Sequence, residues 1–220
     1  MQFFLFTISI KVFTIIVGLF YFKKLNKAFR YILWQVIVVS GCETLGNFTS
    51  YHSQNNLWVF NFFYLLPELW LTGMAARELT TNSKLKKATP YLLGLGTFVW
   101  GINITVYGIN IFANWALIYI GVTLCIIYMN VLIKNSWSEQ SPFLQPEFWL
   151  SLSVILFFSC NIPYYGMFNF LSYESPVLLR KLFYINKGLN FIRYPLIALS
   201  FYLYARQRNI QLQKAQHNIF

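Results

Sequence analysis

Apolar residues fall into seven runs, at about 3–22, 29–48, 57–76, 90–107, 112–133, 148–171 and 183–205, separated by short polar segments. Each run is close to the ~20 residues an α-helix needs to cross a ~30 Å hydrocarbon layer. The pattern predicts an all-α fold, a seven-transmembrane-helix bundle over residues 1–205. Residues 206–220 follow as a basic tail.

Polar residues inside the runs recur at helical spacing. Thr7, Lys11 and Thr14 share one face of the first run, and Glu43 and Asn47 lie one turn apart in the second. Asn61, Tyr64 and Glu68 form a stripe in the third run, and Asn161 lies in the sixth. Asn186, Asn190 and Arg193 share a face of the last run, with Lys187 near its start. A charge inside hydrocarbon costs ~2.5–3.5 kcal/mol on insertion scales, so these faces are expected to look inward, and the second run is placed beside the seventh. The fifth run has polar residues only near its ends and reads as lipid-facing. In the fourth run, Gly94, Gly101 and Gly108 recur every seven residues, which predicts a close-packing stripe, within the chain or across a dimer. Pro67, Pro163 and Pro195 interrupt the third, sixth and seventh runs and predict bends.

Depth along each run suggests which charges meet. Glu68 and Arg193 lie ~16 and ~15 Å from the outer boundary, and Glu43 and Lys187 ~7 and ~6 Å. These depths pair Glu68 with Arg193 and Glu43 with Lys187 and leave Lys11 over. A surplus cation in low dielectric attracts an anion. The ten residues Lys11, Glu43, Asn61, Tyr64, Glu68, Asn161, Asn186, Lys187, Asn190 and Arg193 therefore form the candidate ligand site. It reads as a polar cavity in the outer half of the bundle that takes an anionic or polar small ligand.

Charge distribution sets the orientation. Lys23, Lys24, Lys27, Arg30, Arg77, Lys84, Lys86, Lys87, Lys134, Arg206, Arg208 and Lys214 fall on one side, against Arg180 and Lys181 on the other. By the positive-inside rule the N-terminus is outside and the C-terminus cytoplasmic. The first run has no basic region before it and no small-residue cleavage pattern after it, so it reads as a retained span. Composition agrees with the membrane class: 57% hydrophobic, 20% aromatic and 10% charged residues. The net charge of +11 comes from the segments between runs, so it predicts anionic lipid and a cytoplasmic protein partner, not nucleic acid.

Several chemistries lack their residues. The chain has no Asp, and its two histidines, His52 and His217, lie in a loop and in the tail. That leaves no aspartyl dyad, zinc site or His-based triad, and no G-x-S-x-G or H-E-x-x-H signature. No cofactor, metal or catalytic residue is expected. Cys42, Cys125 and Cys160 sit inside apolar runs and read as small hydrophobes.

Three segments together resemble an uncharacterised seven-transmembrane protein family of Bacteroidota. They are Asn61-Phe-Phe-Tyr64-Leu-Leu-Pro-Glu68; Phe148-Trp149 with Asn161-Ile-Pro163; and Ile185-Asn186 with Leu189-Asn190. The resemblance implies a multi-pass protein of a bacterial inner membrane and carries no activity with it. The expected function is a receptor or sensor-like subunit, with a small-solute or proton-coupled transporter as the alternative. A retinal protein fits poorly: Lys187 lies near the outer end of the last run, and mid-run stands Arg193.

Overall fold

In a computed structural model the protein is all-helical; residues 2–52, 55–135 and 141–217 are described. Glu139 and the last residues of the basic tail lie outside them. Among the described residues there are seven helices and no strand. They are α1 Gln2–Phe20, α2 Lys27–Tyr51, α3 over 57–79, α4 Ser83–Tyr107, α5 Asn114–Asn135, α6 Pro146–Glu174 and α7 Pro176–His217.

Local chemistry sets the boundaries. Asn26 caps α2 by accepting from the Phe29 amide, and Asn82 caps α4 by accepting from Lys84 and Leu85. Prolines that lack an N–H open α6 and α7. Gly108 ends α4 at a φ of 83°, a conformation a Cβ disfavours. The first turn of α5 is capped from outside: Asn103 of α4 accepts from the Trp115 and Ala116 amides at 3.1 and 3.3 Å.

Helix α3 is irregular, running from Leu57–Val59 through a π-helical Phe60–Tyr64 into Leu65–Leu79. Pro67 has no N–H for the Phe63 carbonyl, and the Cys42 thiol of α2 donates to that carbonyl at 2.8 Å instead. Within the π turn the Asn61 carbonyl accepts from the Trp100 indole at 2.7 Å. Neighbouring helices thus satisfy the groups this segment exposes.

Contacts run α1–α2–α3–α5–α6–α7 and back to α1, closing a ring, while α4 packs outside against α3 and α5. The ring refines one expectation and corrects another. Helix α5 has two faces: Leu117, Ile120, Leu124, Ile127, Tyr128 and Val131 are buried against other helices, while Val122, Ile126, Met129 and Ile133 form an exposed apolar side, as a lipid-facing helix requires. Helices α2 and α7 meet at one end, where Phe29 packs on Phe201 and Tyr204, and elsewhere α1 stands between them. Helix α7 continues without a break from Pro176 past Pro195 to His217, so the tail expected from residue 206 begins as a helical extension of the last run.

Polarity is distributed inside out. Lys11, Gln35, Glu68 and Arg193 are at most 1% exposed, whereas Phe13, Ile16, Phe98 and Ile126 are each more than half exposed. Among the described residues, two helical stretches, Asn114–Ile133 and Pro146–Glu174, are long and apolar enough to cross a membrane.

The glycine stripe of α4 does not pack within the chain. A Cβ at Gly94 or Gly101 meets nothing within 4 Å, because both look away from the bundle. The close approach is at Gly96, where a Cβ would lie 2.8 Å from Leu69 and 3.0 Å from Tyr119. Gly96→Leu is expected to lower stability by about 1–3 kcal/mol through overpacking. Gly94→Leu should be neutral or mildly stabilising. Thermal unfolding of the two purified variants checks this.

Candidate functional site

Two ion pairs occupy the interior of the ring. Arg193 of α7 donates to Glu68 of α3 through Nη2 at 2.5 Å, as depth matching predicts. The other Glu68 oxygen accepts from Gln35 Nε2 of α2 at 2.5 Å, and the Thr72 hydroxyl lies 3.4 Å from Oε1. The Arg193 guanidinium lies 4.3 Å from the centre of the Phe157 ring, whose π face stabilises a cation.

The second pair differs from expectation. Glu43 pairs with Lys11, not with Lys187. The cause is the ring: α1 stands between α2 and α7, so Glu43 meets α1 first. Lys11 is 1% exposed, lies 5.0 Å from the Tyr194 ring and is not left over. One turn on, the Thr14 hydroxyl donates to the Tyr194 carbonyl at 3.0 Å and fastens α1 to α7. The surplus charge falls on Lys187 instead, which lies 4.6 Å from the Phe183 ring; among the described residues no carboxylate pairs with it.

Directly beyond these pairs, at the end of the ring where α2 finishes and α3 begins, lies a cavity of about 430 Å³. Six of the ten candidate residues line it: Glu43, Asn61, Tyr64, Asn186, Lys187 and Asn190. The other four, Lys11, Glu68, Asn161 and Arg193, are buried beside it and support it.

Asn61 lines the cavity but is committed elsewhere. Its Nδ2 donates to the Ile109 and Ile111 carbonyls at 2.6 and 2.8 Å, and its Oδ1 accepts from the Ala113 amide. With its amide saturated, Asn61 holds the α4–α5 connection in place, so its role is structural. Asn161, Asn186 and Asn190 form a chain that joins α6 to α7: Asn186 Nδ2 donates to Asn161 Oδ1 at 2.8 Å, and Asn190 Nδ2 reaches Asn186 Oδ1 at 3.3 Å.

Sequence reasoning missed Arg180, which lines the cavity. Starting the last run at 183 left Arg180 in a loop, whereas α7 begins at Pro176 and carries Arg180 two turns before Lys187, on the same side. Like Lys187, Arg180 has no carboxylate partner among the described residues. Gln35 was also missed; its signal is a lone amide inside an apolar stretch.

The cavity wall therefore combines aromatic rings, a carboxylate, amides and two cations without carboxylate partners. This suits it to bind and orient a small molecule, and no nucleophile is paired with a base along the wall. Comparison with known proteins gave no matching family model, no matching curated protein and no matching solved structure.

Removing one member of a buried pair leaves a charge without compensation. Glu68→Met or Arg193→Met alone is expected to cost about 3–5 kcal/mol, and the double variant should recover most of that. A loss in the double variant equal to the sum of the two single losses, measured by denaturation of purified protein, would mean that the two side chains act independently.

Proposed function

We propose that the chain is a seven-span protein of a cell membrane, the bacterial inner membrane if the family resemblance holds. On this reading its outer cavity receives a small anionic or polar ligand. It acts as a receptor or sensor-like subunit, with a protein partner at its basic cytoplasmic face. The observation that carries the reading is the cavity wall, where Lys187 and Arg180 face an aromatic-lined space beside two buried ion pairs.

The membrane part draws support from the inverted polarity. Outward faces carry Ile16, Phe98 and Ile126, while Lys11, Glu68 and Arg193 are buried inside. Five helices fall short of the length and composition of a membrane span among the described residues. Several of them owe this to one polar side: averaging round α2, α3 or α7 mixes Glu43, Glu68 or Arg193 with an apolar outer face. The orientation, N-terminus out, rests on the lysines and arginines of the opposite end.

A transporter is the second reading, favoured by Glu43, which touches the cavity while holding the buried Lys11. Against a proton relay through Glu68 stands its engagement by Arg193, Gln35 and Thr72.

The test uses the full chain, purified in detergent and also reconstituted alone in lipid vesicles. A panel of small carboxylic acids should include members that raise the melting temperature, and the Arg180→Gln/Lys187→Gln variant should bind them at least tenfold more weakly, about 1.4 kcal/mol. Vesicles holding the protein alone should accumulate none of them. Accumulation would establish the transporter reading, and a panel with no stabilising acid would remove the ligand cavity.

A further inference from the structure

The amide chain on the cavity wall has a forced direction. Asn161 faces the Phe157 carbonyl at 2.8 Å, and a carbonyl only accepts, so Asn161 presents Nδ2 there and Oδ1 toward Asn186. Asn186 then donates through Nδ2 and keeps Oδ1 for Asn190. Asn190 is fixed a second time, because its Nδ2 also faces the Asn186 backbone carbonyl at 3.2 Å. The chain therefore ends on Asn190 Oδ1, an acceptor that has no donor, on a residue 7% exposed that lines the cavity. A buried acceptor without a donor is costly, so a ligand that supplies one gains affinity there.

Lys187 precedes Asn190 by three residues, on the same face of α7 and ~4.5 Å away along the axis. A cation and an acceptor thus stand one turn apart on one wall. Around them Phe60, Tyr64, Phe112 and Phe168 offer apolar surface, the last two with ring centres 3.9 Å apart.

We propose that the cavity selects a small acid bearing an N–H or O–H donor on the carbon next to its carboxylate, together with an apolar side chain. An α-amino acid is the simplest member of this class. The carboxylate meets Lys187, the neighbouring donor meets Asn190 Oδ1, and the side chain lies on the rings. This deepens the ligand-binding reading given above and rests on it.

Four probes separate the parts: L-phenylalanine, 3-phenyllactate, 3-phenylpropionate, which lacks the donor, and phenethylamine, which lacks the carboxylate. With the purified full chain, phenylalanine or phenyllactate should bind at least tenfold more tightly than 3-phenylpropionate and than phenethylamine. Which of the two leads tells whether the donor is an ammonium or a hydroxyl. Asn190→Ala should abolish the preference over 3-phenylpropionate, and Lys187→Gln, at a part-exposed position, the preference over phenethylamine. The wild-type comparison decides even if Asn190→Ala does not fold. If 3-phenylpropionate binds as tightly as the donor-bearing acids, or if only acids outside this class bind, the inference falls and the cavity reading stands. If no acid of any kind stabilises the protein, both fall.

Discussion

A guanidinium and a carboxylate buried together govern this fold. Arg193 and Glu68 are 1% and 0% exposed, and they belong to helices that are not neighbours in the ring, so the pair crosses its interior. Desolvating two charges costs several kcal/mol per ion, and mutual attraction offsets this only when the remaining hydrogen-bonding sites are also filled. Gln35 and Thr72 supply part of that on the acid side, and the Phe157 ring supplies a π face on the basic side. Keeping four helices in register around one ion pair restricts how α2, α3, α6 and α7 can slide.

The geometry of α3 follows from the same demand. Pro67 and the π turn before it disturb the backbone one turn from Glu68, and the carbonyls they free are taken by Cys42 and Trp100 from different helices. On the other side Lys11 and Thr14 of α1 reach Glu43 of α2 and the Tyr194 carbonyl of α7, which closes the ring. The cavity lies where these ties end and the helices no longer fill the space between them with side chains.

Much of this was legible in the sequence, and the exceptions share a cause. Run lengths marked helices, and periodicity marked which faces turn inward: Lys11, Glu68, Asn161, Asn190 and Arg193 are all buried. Depth counting paired Glu68 with Arg193, because a count along the axis measures height. It paired Glu43 wrongly, because height carries no information about which helix stands beside which. Azimuth is equally invisible along α4, where the tight approach within the chain belongs to Gly96 and not to Gly94 or Gly101. Asn61 was unreadable as a clamp because its partners, Ile109, Ile111 and Ala113, are about fifty residues away in a connection with no pattern of its own.

The central claim is that the charged interior opens to water at the cavity while the apolar exterior meets lipid. Single cysteines placed in a cysteine-free chain and challenged in intact cells with a membrane-impermeant maleimide test it most directly. Cysteines at Asn47 and Phe183, on the cavity wall, should label from outside, and those at Ile16, Phe98 and Ile126, on the outer faces, should stay unlabelled. Labelling at the three outer-face positions with none at the two cavity positions would contradict it.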